Sequence, residues 1–228
     1  MNVCIMPKLI EIKGLYYTEA SGNIIFEDVD AEFCGGEKIA VIETHGSGNA
    51  QLLKLLLGIE KPQMGGIYLF GNDVGTLDSS EIDILRRGIG VVFENASLIS
   101  NLKVIENVML PLQYHSNLTP DAIMKRAVLL LESVRYKGGM WELPGPLSFY
   151  TKKIIAFARA IALDPDIMIY DRLLEGLDSY QSLEILRMIH GFHKAKKNRL
   201  SIMIVNDARD VRSIMPDRIL RIVNRRFI

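Results

Sequence analysis

Cysteine is scarce, with two residues in 228, Cys4 and Cys34. Their wide separation fits no metal-ligand spacing and suggests a reduced, cytosolic protein in which Cys34 is a small packed residue. His45, His115, His190 and His193 share no ligand spacing with cysteine or one another, so a metal site built on them is not expected. Neither charge is in excess: 27 Lys and Arg balance 27 Asp and Glu. With no basic block and only 7% aromatic residues, a nucleic-acid surface is not expected. No apolar run approaches the ~20 residues of a membrane span. The stretch Met1–Gly14 lacks the apolar core and cleavage site of a secretory leader. Internal repeats and low-complexity tracts are also missing. The length suits one α/β domain, or a core with a small subdomain.

What is present centres on Ile39–Gly58, IAVIETHGSGNAQLLKLLLG. A β-branched run (Ile39–Ile42) enters a turn of small residues, and leucines at helical spacing follow from Leu52. Strand, glycine loop and helix are the layout of a phosphate-cradling P-loop, G-x-x-x-x-G-K-[ST]. Across Glu43, Thr44, His45, Gly46, Ser47, Gly48, Asn49, Ala50 and Gln51, the pattern's first glycine falls on Glu43 and its second on Gly48. Its lysine falls on Asn49 and its hydroxyl residue on Ala50. Backbone N–H groups and the helix N-terminus would still favour an anion. Asn49 supplies no ammonium, however, and Ala50 supplies no ligand for Mg²⁺. A carboxylate at Glu43 near a phosphate would cost about 4 kcal/mol at a surface-like dielectric. An ordinary glycine turn in an α/β protein remains the alternative reading of the loop.

Along the chain, Leu9–Leu15 alternates as a strand, and Asn23–Phe33 offers a second and third around an Asp-rich turn. Gly65–Gly71 and Ile89–Phe93 read as further strands, and Ser79–Arg87 as a helix. From Glu94, ENASLISNLKVIENVMLPL runs on into helical periodicity. Thr119 and Pro120 open the helix Ala122–Val134 as N-cap and first helical residue. Lys152–Leu163 and Tyr180–Lys194 are helical, while Ile167–Tyr170, Ser201–Val205 and Arg218–Val223 are apolar strands. Strands alternating with helices, each strand closing on polar residues, predict a parallel sheet with its site at the carboxyl edge.

In this order the landmarks resemble the ATP-binding subunit of ABC transporters, from about Leu9 to Asn224. Leu52–Gly58 and Ala156–Pro165 (AFARAIALDP) carry the resemblance. Glu94–Leu112, His115–Leu118 and Gly145–Ser148 are most similar to the ATPase of Mla-type, Mce-associated lipid transporters. The resemblance implies an α/β P-loop NTPase core with a mostly parallel sheet. It also implies a flanking antiparallel β-subdomain and a helical subdomain at about residues 95–160 of one nucleotide-binding domain, 1–228.

The resemblance further implies ATP and Mg²⁺ as ligands, a membrane permease as partner, and a homodimer or a heterodimer with another ABC ATPase. It places the chain in the cytoplasm, on the inner face of the cell membrane. Any C-terminal segment that relatives use to bind partners is expected to be missing after Ile228. Most motif positions have changed. The Q-loop glutamine is Glu94; the signature LSGGQ is Leu147, Ser148, Phe149, Tyr150 and Thr151; the catalytic glutamate is Arg172; the switch histidine is Asn206. Asp171 keeps the Mg²⁺-binding aspartate, at best a weak ligand here, and Asp178 keeps the D-loop aspartate. The adenine-stacking aromatic falls on Glu19, with Tyr16 and Tyr17 nearby. Asp171 as a plain strand-end residue, Arg172 as an ordinary ion-pair residue and Asp178 as a helix N-cap remain open. The expectation is a catalytically degenerate subunit that serves a permease. A working ATPase with rearranged chemistry (Glu94 or Glu175 as base) and a scaffold that binds no nucleotide are the alternatives.

Overall fold

The computed structural model describes every residue except 1–3, 5, 44–47 and 207. The first half runs β1 (Lys8–Thr18), β2 (Ile24–Cys34), β3 (Lys38–Glu43), α1 (Gly48–Leu56), β4 (Met64–Leu69), β5 (Asn72–Asp73), α2 (Ser79–Arg86) and β6 (Ile89–Val92). Three helices follow, α3 (Val104–His115), α4 (Pro120–Ser133) and α5 (Phe149–Ala160). The chain then continues through β7 (Ile167–Asp171), α6 (Ser179–Lys194), β8 (Leu200–Val205), α7 (Ala208–Ile214), β9 (Arg218–Val223) and β10 (Arg226–Phe227).

Two sheets result, a six-stranded one in the order β10-β9-β3-β8-β7-β6 and a four-stranded antiparallel one in the order β2-β1-β4-β5. In the larger sheet only the β9–β10 pairing is antiparallel. Its central strands bury both faces, and residue alternation divides them between two cores. Ile39, Val41, Ile167, Ile169, Ile202 and Ile204 face α1, α2 and the antiparallel sheet. Ala40, Ile42, Met168, Tyr170, Met203 and Val205 face α3 to α6. The strands therefore end together, and the polar residues that follow them meet along one edge.

Several local expectations hold for physical reasons visible in the sequence. Thr119 caps α4 by accepting from Ala122 N at 3.4 Å, with Pro120 at the first helical position. Asp178 caps α6, accepting from Gln181 N at 2.8 Å, in a reciprocal box with the Gln181 side chain.

Three expectations are corrected. Asn23–Phe33 contributes one strand, not two, because the Asp-rich stretch is a bulge with Asp28 left-handed (φ 53°), which kinks β2 without reversing it. Helix does not continue from Glu94, because Ala96 (φ 63°) and Ser97 (φ 44°) hold left-handed backbone, so α3 begins at Val104. Cys4 and Cys34 are not separate thiols: they form a disulfide, with Cα atoms 5.9 Å apart. The β1–β2 register sets Lys8 opposite Cys34, so Cys4, just before β1, lies beside the end of β2 despite a sequence separation of 30.

Candidate functional site

The candidate site lies where β6, β7 and β8 end. Val92 of β6 and Tyr170 of β7 are register partners, so Glu94 and Arg172, each two residues further on, emerge side by side. The Arg172 guanidinium reaches Glu94 Oε2 at 2.8 Å and Asp171 Oδ1 at 3.3 Å. Arg172 has left-handed backbone (φ 44°), and its N–H donates to Ile204 O at 3.0 Å, which fixes the chain as it leaves the sheet. Arg172 and Glu94 are 34% and 36% exposed, so each such pair contributes about 0–1 kcal/mol to folding. After β8, Asn206 donates from Nδ2 to Glu175 Oε2 at 3.3 Å. The structure thus gathers Glu94, Asp171, Arg172, Glu175 and Asn206 at one edge. It gives Arg172 specific carboxylate partners instead of leaving it in solvent.

Beneath this edge lies a residue that sequence reasoning missed. Lys153 of α5 is fully buried, and its Nζ donates to Leu173 O at 2.6 Å and Glu175 O at 2.7 Å. The Arg172 carbonyl is 3.5 Å away, and the Phe149 ring lies 4.4 Å off on another side. Burial pushes the ammonium down to about 8, against the pull of Glu94, Glu175 and Asp171. A lysine in a helical run reads as surface charge, and only the approach of residues 172–175 to α5 reveals this role.

The signature segment forms the first turn of α5. Ser148 caps the helix, accepting from Thr151 N at 3.2 Å, and the two hydroxyls pair at 2.7 Å. Phe149 is 41% exposed and covers Gly176 (φ 75°), where an added Cβ would lie 3.0 Å from its ring. Tyr150 does not share that position. It turns into a cleft of about 520 Å³ lined also by Arg135, Tyr180 and Glu184, and burial raises its hydroxyl. Leu147 packs on the core.

Of the P-loop positions, Thr44, His45, Gly46 and Ser47, with the side chains of Glu43 and Asn49, lie outside the described residues. The flanks are placed. An added Cβ at Gly48 would meet Ile222 Cδ1 at 2.8 Å, so this glycine permits close helix–sheet packing. Ala50 is exposed. Gln51 Nε2 donates to Glu19 Oε1, while Gln51 Oε1 is buried without a partner. Glu19, where the resemblance puts the adenine-stacking aromatic, is therefore a carboxylate tied to the start of α1. Tyr17 donates to Glu60, which also holds Lys54 at 2.9 Å, so Lys54 does not turn back toward the loop.

The segment from Glu94 to Leu102 is fixed by polar side chains. Buried Asn107 bonds Ile99 N at 2.9 Å and the carbonyls of Ile99, Leu102 and Lys103 at 3.1 Å each. Arg159 donates to Ala96 O at 3.1 Å. Leu98 packs on the core, whereas Ile99 is 38% exposed.

Among the described residues no three His, Cys, Asp or Glu side chains are grouped to hold a metal ion. Asp171 is bridged by Arg172, and Ala50 lacks a hydroxyl, so the residues present do not fit Mg²⁺. Arg172 also offers no base to an attacking water.

The sheet order, the helix opening at Gly48 and the polar carboxyl edge define an ABC ATPase-like cassette of the P-loop NTPase class. A family model described as ABC transporter matches residues 26–173, and the chain belongs to that family. The intermembrane phospholipid transport system ATP-binding protein MlaF of Haemophilus influenzae is 31% identical over 206 residues, 90% of this chain and 77% of that one. The methionine import ATP-binding protein MetN of Clostridium acetobutylicum is 30% identical over 205 residues. That match spans 89% of this chain and 62% of the longer relative. Among solved structures, the dimeric bacterial ABC transporter cassette MJ0796 is similar with TM-score 0.86 and 25% identity, over 96% of each chain.

Proposed function

We propose that this chain is a non-hydrolysing ATP-binding-cassette subunit that serves a lipid-transporting permease as a structural or regulatory partner. The observation that carries the reading is Arg172, a cation bonded to Glu94 and Asp171 where a base and a metal ligand would act. The lipid assignment follows MlaF, whose name gives it to phospholipid transport. No helix among the described residues is long and apolar enough to cross a membrane. The reading attaches the chain through the permease on the cytoplasmic face, where the cellular thiol pool works against the Cys4–Cys34 bond. The chain dimerises with a copy of itself or with a second ATPase, and residues 95–160 form a helical subdomain.

The permease docks beside Glu94–Leu102. Ile99 supplies exposed apolar surface there, on a loop held rigid by Asn107. Candidates for an alternative base are engaged: Glu94 by Arg172, and Glu175 by Asn206. Calorimetric titration with ATP and Mg²⁺ should give weak binding, and turnover should stay at background. Low-micromolar binding or turnover of ~1 s⁻¹ would refute the reading. Co-purification with the permease should survive in the native chain and be lost in Ile99→Glu with the fold intact. A scaffold role without a permease predicts no co-purification in either.

A further inference from the structure

The carboxyl edge of β7 and the loop after β6 bring two carboxylates, Asp171 and Glu94, against one guanidinium. Arg172 leaves β7 in left-handed backbone, its N–H fixed to Ile204 O at 3.0 Å and its carbonyl 3.5 Å from buried Lys153 Nζ. Its guanidinium then meets Glu94 at 2.8 Å and Asp171 at 3.3 Å. Glu94 is itself held in place, because the backbone just beyond it is bonded by Arg159 at Ala96 and by Asn107 at Ile99.

We propose that Arg172 is a tethered cation that takes the place of the divalent metal, balancing Asp171 and Glu94 and excluding metal from the edge whatever the nucleotide state. The idea rests on the reading of this edge as a converted nucleotide site, and goes beyond it by assigning Arg172 a positive role. Lost chemistry alone needs only a residue that is not glutamate. A guanidinium bonded to Glu94 and Asp171 makes their charge useful to the resting chain. It also ties the end of β7 to the segment after β6 without a ligand.

Mn²⁺, followed by its electron paramagnetic resonance signal, is the probe, with no nucleotide added. The native chain should leave the free-ion signal unchanged at millimolar metal. Arg172→Gln removes the cation and should bind Mn²⁺ at least on the order of tenfold more tightly. Arg172→Glu should bind it more tightly still, and adding Asp171→Asn should abolish that gain. Arg172→Lys keeps the charge and should stay metal-free. Thermal melts establish that the variants are folded. If folded Arg172→Gln and Arg172→Glu bind Mn²⁺ no better than the native chain, the proposal is overturned. Unfolding of both overturns it too, because Arg172 would then be a residue of the fold. Neither result bears on the permease, whose association is read by co-purification alone.

Discussion

An arginine stands beside each end of strand β7, Arg199, which precedes β8, at the amino end and Arg172 at the carboxyl end, and the two are held in opposite ways. At its amino end Arg199 is 1% exposed. It donates to Pro165 O at 3.0 Å, to Phe192 O and to Asp164, with its guanidinium 3.5 Å from the centre of the Phe192 ring. At the carboxyl end Arg172 is a third exposed and binds side-chain carboxylates. Removing Arg199 leaves the buried Pro165 carbonyl and the half-buried Phe192 carbonyl without their donor, whereas removing Arg172 leaves carboxylates that solvent can hydrate. The fold is therefore staked on one end of the strand, and the other end is free to change its chemistry at little thermodynamic cost.

The comparison breaks if the two arginines prove equally important to folding. Arg199→Ala should lower stability in denaturant melts by roughly 1–3 kcal/mol for each of the two carbonyls it leaves without a donor. Lys153 sharpens the contrast, since it is a buried cation at the otherwise tolerant end. Its folded value near 8 lies below the unfolded one, so the unfolded chain binds more protons between about pH 8 and pH 10. Its contribution to stability should rise with pH across that window, by up to about 1.4 kcal/mol per unit, and stay flat below it. Melts at pH 7 and pH 10 should show that rise in the native chain and lose it in Lys153→Met. Asn107→Ala, which strands the backbone of Ile99, Leu102 and Lys103, should cost about 1–3 kcal/mol and speed hydrogen exchange at Ile99. Arg172→Ala should cost less than about 1 kcal/mol, with the difference fading in high salt.

The sheet and the caps at Thr119 and Asp178 were legible because each depends on neighbours in sequence or on period. What escaped depends on strands meeting. Arg172 was visible as the wrong residue for a base, but its bond to Glu94 exists only through the β6–β7 register. Tyr150 was legible as bulk, but its direction was not, since the first turn of α5 rotates it into the cleft beside α6. Lys153 and Asn107 look like ordinary polar helix residues. Each is buried because a loop brings carbonyls to it, residues 172–175 to Lys153 and the segment just before α3 to Asn107. The left-handed residues Asp28, Ala96 and Ser97 turned one expected strand pair into a bulge and delayed one helix, and no glycine announced them.

The Cys4–Cys34 bond has a mechanical consequence. Tension applied at the amino terminus reaches Cys4 before it reaches β1, crosses the bond to Cys34, and passes through Gly35–Glu37 into β3. The β1–β2 hairpin, enclosed between the two cysteines, is bypassed by that load. A pull on this end therefore tugs directly at the central parallel strand, and the β1–β2 pairing bears that load only after the bond is reduced.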